Sequence, residues 1–574
     1  MPYVNFNRSW PMPQHEISLI GPVSAGQDPP LTCQDMGHNC RLCREAASDS
    51  GAAEGNADAG EAASDREAGP GDAPDHEAVP DADTSPDGGR VLVASNRGPL
   101  SFTVAPDGSL SARRGGGGLV SGLMPGLSSL ADRGEVLWIC AALSHADRAA
   151  ARHDPDGRQF GIETGGRSGG RTAVRALDIP ADTFHSAYNA VANATLWFVH
   201  HMLFDIPVQP RFGPTFRRDW QSYVAYNEAF AGALAQAAAP APVAARVLVQ
   251  DYHLALVPRM LRDAVPGIRI AHFSHTPWAP ADYYRILPDD VGRAVLDGML
   301  GADHAAFHCQ RWADAFLDCC EALLGAQVDR AAQRVIHRGH VTGVGVHPLG
   351  VDAPTLRERG RAADVETHVA ALTRAAAGRK LIVRIDRTEL SKNILRGLAA
   401  YRELLTTRPE WRGQVVHVVF AYPSRISVPG YREYTDEMVR MAAGITEEFG
   451  TPDWNPLILE VKDDYPRSLA AGRVADVLVV NPIRDGMNLV AEEGPVLSDR
   501  GCALVLSREA GAASLLGSDA LLVNPYDVSA TANAMHQALL MPEDERRRRC
   551  SALAAAAAAK APGQWLTAQL DALP

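Results

Sequence analysis

Short apolar runs, each emptying into polar residues, recur from residue 90 to about 525. Arg90-Val-Leu-Val-Ala-Ser-Asn-Arg97 is the first, and 136–140, 246–251, 268–275, 302–308 and 343–348 continue a series. A second series runs through 380–386, 415–422, 457–461, 474–480, 503–507 and 520–523. Runs of this length without alternation read as strands buried on both faces, the habit of parallel sheets with helical crossovers. The pattern predicts an α/β protein with two doubly wound halves, 91–350 and 351–540. A helical segment, 541–574, closes the chain and is expected to pack back on the first half.

In open parallel sheets, ligands sit beyond the carboxyl ends of the strands, often at a helix N-terminus. The polar residues at those ends are therefore the first candidates for chemistry. The run 474–480 leads into a turn with Arg484, Asp485 and Gly486, and a helix is expected from about Asn488 with Glu493 on its second turn. Backbone N–H groups at 487–490 suit a diphosphate, Asp485 suits sugar hydroxyls and Glu493 a ribose diol. An ordinary solvated Asp-Gly turn has the same local pattern, so the turn alone does not decide between them. Asp251 and His275 end two other strands, where function and turn capping carry equal weight. Arg387 and Lys392 lie in one strand-to-helix loop and would bind a diphosphate by charge-assisted hydrogen bonds. Arg113-Arg-Gly-Gly-Gly-Gly-Leu119 offers amides for close approach to phosphate, but equally a flexible loop, and it lacks a Walker lysine. Residues 181–231 are rich in Tyr and Trp, which suits sugar recognition or an aromatic helical core. His200 and His201 lack a third partner at metal spacing and are read as packing residues.

Composition adjusts this picture in three places. The 574 residues exceed one ordinary core, with 46% hydrophobic and 21% charged residues, a globular balance. The net charge of −13 argues against nucleic-acid binding, but residues 44–90 alone carry 13 Asp and Glu against 3 Arg, or −10. The rest is close to neutral and leaves room for a positive cleft. That stretch has almost no large apolar residue, so 1–90 is expected to be a disordered acidic tail. Cys33, Cys40 and Cys43 precede it, and one Cys-x-x-Cys pair falls short of a zinc site. Nine cysteines, no apolar run of membrane-spanning length and no secretory signal pattern predict a cytoplasmic protein with no membrane partner. A homo-oligomer is compatible with the sequence and not decided by it.

Taken together, 93–97, Gly117-Gly-Leu119, Tyr188 to Trp197, Gln250-Asp-Tyr-His-Leu254, His275-Thr-Pro277, Arg387 to Lys392, Ser424-Arg425 and Arg484-Asp-Gly-Met-Asn-Leu-Val490 resemble the trehalose-6-phosphate synthases of glycosyltransferase family 20. The resemblance spans about 91–570. It implies a GT-B fold, two Rossmann-like domains around a cleft. The implied reaction moves glucose from a nucleoside diphosphate glucose (UDP, GDP or ADP) to glucose 6-phosphate, with retention, no metal and no cofactor. It implies an acceptor pocket of Arg97, Tyr188, Trp197 and Arg425, with both arginines on the phosphate and Asp251 on sugar hydroxyls near the reacting centre. On the donor side it implies Gly118 beside the phosphates, Arg387 and Lys392 on the leaving diphosphate, and His275 and Asp485 on the glucose. Asn488 and Leu489 would hold the diphosphate through backbone amides and Glu493 the ribose. No covalent nucleophile is implied. Three departures stand out. Ala141 occupies a position where a Trp is expected, Thr388-Glu389-Leu390 replaces Leu-Asp-Tyr, and Glu492 replaces a Lys. The first bears on acceptor contacts and the other two on the nucleotide side, which leaves the base open between guanine, uracil and adenine. The alternatives are a relative with another acceptor, such as a glucosylglycerol-phosphate synthase or a cyclitol pseudo-glycosyltransferase, and a catalytically silent sugar-phosphate-binding homologue.

Overall fold

The computed structural model describes residues 90–574 except 106, 108, 115–122, 128–129, 131–134, 164–170 and 426–428. The acidic tail, Cys33, Cys40, Cys43 and Gly118 lie outside the described residues.

The first sheet is built on β1 (Val91–Ser95), β2 (Val136–Ala141), β3 (Arg171–Leu177), β4 (Arg246–Gln250), β5 (Arg269–Ser274), β6 (His304–Phe307) and β7 (His340–Val346). These run parallel in the order β7-β6-β5-β4-β1-β2-β3, and antiparallel strands extend both edges. The second sheet is wholly parallel. It contains β8 (Lys380–Arg387), β9 (Val415–Tyr422), β10 (Leu457–Glu460), β11 (Val477–Val480), β12 (Ala503–Ser507) and β13 (Leu521–Val523) in the order β10-β9-β8-β11-β12-β13.

The strand pleat explains how one short run serves two cores. Leu92 and Ala94 of β1 enter the core on one face of the first sheet, while Val91 and Val93 enter the core on the other. Sequence reading misses β3 because its burial alternates around Arg171, Thr172, Val174 and Arg175 instead of forming a continuous apolar run. The run expected at 474–480 is divided. A helix ends at Val474 and β11 starts at Val477, with buried Asp476 between them accepting a hydrogen bond from the Leu381 backbone N–H at 2.9 Å.

Among the helices are α1 (Pro214–Ala238), α2 (Ile394–Thr407), α3 (Leu489–Leu497), α4 (Glu543–Ala558) and α5 (Pro562–Asp571). The C-terminal segment divides its packing. Cys550, Leu553 and Ala557 of α4 belong to the core of the second sheet, whereas Trp565, Leu566 and Leu570 of α5 return to the core beneath β1 and β2. Among the described residues, no helix is long and apolar enough to cross a membrane.

Candidate active site

The carboxyl ends of the two sheets meet. The loop after β11 touches the loop after β5 so closely that a Cβ on Gly486 would lie 1.9 Å from the His275 carbonyl oxygen. Only glycine permits that approach of two backbones. Trp312 secures the same point by donating from Nε1 to the Gly486 carbonyl at 3.0 Å. The Arg484 guanidinium lies over the Trp312 ring at 4.9 Å. Burial, with Arg311 nearby, pushes the Arg484 pKa down to about 10. A second close approach lies behind the first: a Cβ on Gly511 would meet the Gly486 carbonyl oxygen at 1.9 Å.

On the second-sheet side, β8 delivers a cationic loop. Buried Arg384 anchors it from below by donating to the Lys392 carbonyl and to the Asn481 side chain. Ile483 N–H donates to the Ser391 carbonyl at 2.7 Å, joining this loop to the one after β11. The Lys392 ammonium reaches Asp485 Oδ2 at 2.6 Å, and Asn488 Nδ2 donates to the same oxygen at 3.0 Å. Burial works against the Lys392 charge, yet Asp485, Asp386 and Glu389 hold its pKa above the ordinary lysine value. Asp485 is half-buried; burial works against its charge, yet Lys392 holds its carboxyl below the usual range. Asn488 has a left-handed backbone, φ 87°, and its side chain accepts from Ala491 N–H, capping α3. The α3 N-terminus thus opens toward the cleft with its partial positive charge. Leu489 starts the helix, half-buried against the core beneath β1. Glu493, one turn on, is half-buried, and burial pushes its carboxyl up to about 7.

In the sequence Glu389 is only a departure from an expected pattern. It is the buried hub of this side. Oε1 lies 3.2 Å from Arg387 Nη1 and accepts from Ser424 Oγ at 3.1 Å. Burial opposes its ionisation, but Arg387, Arg425 and Lys392 outweigh burial and hold the carboxyl at about 2. Arg387 itself points outward, with 60% of its side chain exposed.

On the first-sheet side, Asp251 follows β4 with φ 75° and ψ 167°. An L-residue rarely takes that conformation, at a cost of roughly 1–3 kcal/mol. Hydrogen bonds on both flanks hold it: Asp251 N–H donates to the Phe273 carbonyl at 2.7 Å, and its carbonyl accepts from Leu254 N–H at 3.1 Å. The side chain accepts from His275 N–H at 3.2 Å. Burial pushes the Asp251 carboxyl up to about 7, against the pull of the Tyr252 and His275 N–H groups and of Arg425 and Arg387.

His275 Nε2 lies 2.9 Å from Gln250 Oε1, and Gln250 Nε2 donates to Gln569 Oε1 at 3.3 Å. With the Gln250 oxygen as acceptor, the proton sits on Nε2 and Nδ1 is left as an acceptor. Burial and three nearby histidines hold the ring neutral, its pKa well below the ordinary value. Helix α5 thereby backs His275 from the far end of the chain, with the Trp565 ring 5.6 Å from the imidazole.

An aromatic wall completes the cleft. Tyr188 stacks between Phe184 and His253, with ring centroids at 5.3 and 5.5 Å. The Arg425 guanidinium lies 4.5 Å from the Trp197 ring centroid and donates to the Tyr431 hydroxyl at 2.7 Å. Trp197 therefore comes from the first half of the chain and Arg425 from the second. Arg97 follows β1 and is exposed, with no ion-pair partner among the described residues. The neighbouring Asn96 is fixed by the Tyr226 hydroxyl of α1 at 2.7 Å. Ala141, where a Trp was expected, is buried and donates its N–H to the Asn96 carbonyl at 3.2 Å.

Asp251, His275, Arg387, Lys392, Arg425, Asp485 and Asn488 thus gather where two sheets meet, with Tyr188 and Trp197 alongside. Glu389, Gln250, Trp312 and Tyr431 join them without having been singled out. Gln250 belongs to the Gln-Asp-Tyr-His-Leu stretch, and Glu389 sits between two recognised cations. Trp312 and Tyr431 carry no local signal.

Two Rossmann-like halves meeting at their strand ends define the GT-B class of glycosyltransferase fold. Residues 90–574 match glycosyltransferase family 20, and the chain belongs to that family. It is 34% identical over 494 residues to a trehalose-6-phosphate synthase of Mycobacterium avium, covering 84% of this chain and 94% of that one. It is 32% identical over 464 residues to a bifunctional trehalose-6-phosphate synthase/phosphatase of Thermoproteus tenax, covering 79% of this chain and 59% of the relative's length. A UDP-forming α,α-trehalose-phosphate synthase from Burkholderia xenovorans, solved with glucose 6-phosphate, superposes with a TM-score of 0.70 at 26% identity. That match covers 84% of this chain and 99% of the other.

Proposed function

We propose that this chain transfers glucose from a nucleoside diphosphate glucose to glucose 6-phosphate in the cytoplasm, giving α,α-trehalose 6-phosphate with retained configuration. One observation carries the reading. Cations, an acidic hub and a helix N-terminus from residues 351–540 face a carboxylate, a neutral histidine and an aromatic wall from residues 91–350, on either side of the contact at Gly486. UDP-glucose is the first donor to try, because the Burkholderia xenovorans relative is described as UDP-forming.

The leaving group is a dianionic diphosphate, so rate acceleration comes chiefly from cations and N–H dipoles placed where charge develops. Arg387 and Lys392 take that role, with the α3 amides at Asn488 and Leu489 beside them and Glu493 on the ribose. Asp485 and His275 orient the transferred glucose; Nδ1 of His275 accepts a hydrogen bond from a sugar hydroxyl. Arg97 and Arg425 grip the acceptor phosphate, Trp197 and Tyr188 pack on its sugar, and Asp251 accepts from a hydroxyl close to the reacting carbon. No side chain is required as a covalent nucleophile.

The test is a product assay with glucose 6-phosphate and each of UDP-, GDP- and ADP-glucose, read by mass and anomeric NMR. A non-reducing α,α-linked disaccharide phosphate is expected. Nucleotide release only with glycerol 3-phosphate or a cyclitol phosphate would replace the acceptor, and silence with every pair would overturn the reading.

A further inference from the structure

Cys502 and Cys550 lie on the far side of the second sheet from the cleft. Cys502 precedes β12 and Cys550 is on α4, 48 residues later. Both are buried, and their sulfurs are 4.0 Å apart. Disulfide bonding requires about 2 Å between sulfurs, so closure needs a movement of about 2 Å.

The backbone around them is already drawn together. Arg546 of α4 donates to the carbonyls of Arg500 and Gly501 at 3.1 and 2.5 Å. Gly501 has φ +71°, and a Cβ there would come within 2.9 Å of Arg547. The loop carrying Cys502 is therefore clamped against the helix carrying Cys550.

Access and charge distinguish the two sulfurs. Cys550 lines a cavity of about 560 Å³ that Arg357, Arg361, Arg473 and Arg547 also line, together with Pro495 of α3. Cys502 does not line it. Asp499 lines it too and pairs with Arg473 at 2.8 Å, and Arg547 pairs with Glu543 at 2.8 Å, so the cavity gives Cys550 access more than net positive charge. The Cys502 thiol beside it pulls the Cys550 pKa below the ordinary thiol value despite burial, and Arg546 acts in the same direction. The same contact, with burial, raises Cys502.

We propose that Cys502 and Cys550 form a reversible disulfide on exposure to a peroxide, with Cys550 the sulfur oxidised first. The Cys550 thiolate attacks one peroxide oxygen, the O–O bond breaks, and hydroxide leaves to take up a proton. The Cys550 sulfenic acid that results is attacked by the Cys502 sulfur. The S–O bond breaks, and the departing hydroxide leaves as water with the Cys502 proton. Two thiols and one hydrogen peroxide become one disulfide and two waters. The link fastens α4 to the entry of β12, behind α3, and goes beyond the transferase reading without depending on it.

The full chain is reduced, freed of reductant and treated with one equivalent of hydrogen peroxide. Remaining thiols are then alkylated and the digest is mapped by mass. The expected product is a peptide joining Cys502 to Cys550, about 2 Da lighter than its two thiol parts and lost on treatment with dithiothreitol. In Cys502→Ser, dimedone should capture Cys550 as sulfenic acid. Recovery of both cysteines alkylated after peroxide would overturn the proposal. So would sulfenic acid at Cys550 of the unaltered protein that never advances to the cross-link. The unaltered protein decides alone if the variant does not fold.

Discussion

Replacing Glu389 by Gln removes one charge and almost no volume, so it isolates the electrostatic work of the buried hub. A carboxyl held at about 2 instead of the ordinary 4.5 carries about 3 kcal/mol of preference for its charged form at neutral pH. Arg387 is 60% exposed, and water screens its share, so a loss of about 2–3 kcal/mol is expected for Glu389→Gln. The sign is set by the lowered pKa. The stabilisation is complete above the unfolded-state value and declines as pH falls toward the folded-state value. The gap between the two proteins should therefore be constant from about pH 7 to 5 and narrow by about 1 kcal/mol at pH 3.5. Urea denaturation of both proteins, followed by far-ultraviolet circular dichroism, measures it. Turnover should fall as well, because Arg387 and Arg425 lose the carboxylate that orients them. Equal stability at pH 7, or a gap that widens on acidification, would refute the assignment of Glu389 as the anionic anchor.

Other substitutions test other parts of the cleft. Arg387→Ala should lower kcat/KM for the nucleotide sugar by on the order of 10²–10³-fold with the fold intact by circular dichroism; unchanged activity would remove Arg387 from the donor site. Gly486→Ala places a methyl where the His275 carbonyl sits, and should cost roughly 1–3 kcal/mol and lower kcat/KM. An unchanged melting curve and unchanged kinetics would contradict the close approach. Asp251 has a raised folded-state pKa, about 7 against an ordinary 3.8, so its ionisation costs stability as pH rises through that window. Asp251→Asn should therefore be the more stable protein at about pH 8, by up to about 4 kcal/mol, with the gain vanishing near pH 4 and with activity lost. Lower stability of the variant at pH 8 would show that the carboxylate is satisfied in the folded protein.

Much of this arrangement is written locally. Continuous apolar runs such as Val415–Tyr422 and Ala503–Ser507 become strands at the expected positions because a strand buried on both faces needs apolar side chains at every residue. The residues after those runs lie in the cleft for the same reason: a parallel sheet puts all its strand ends on one edge. Local sequence therefore sufficed to single out Asp251, His275, Arg387, Lys392 and Asp485. It did not reveal β3, whose half-buried alternation gives a weaker pattern. It also said nothing of pairings between distant residues. The contact of Trp197 with Arg425, the support of His275 by Gln250 and Gln569, and the meeting of Gly486 with the His275 carbonyl join residues up to 319 positions apart. Glu389 depends on such pairing most of all. In the sequence it is one carboxylate in a loop, and its strong acidity exists only because folding buries it and brings Arg425 across from another strand end. Side-chain type and spacing set which groups reach the strand ends; burial and long-range proximity, which no local window contains, set their charge and their partners.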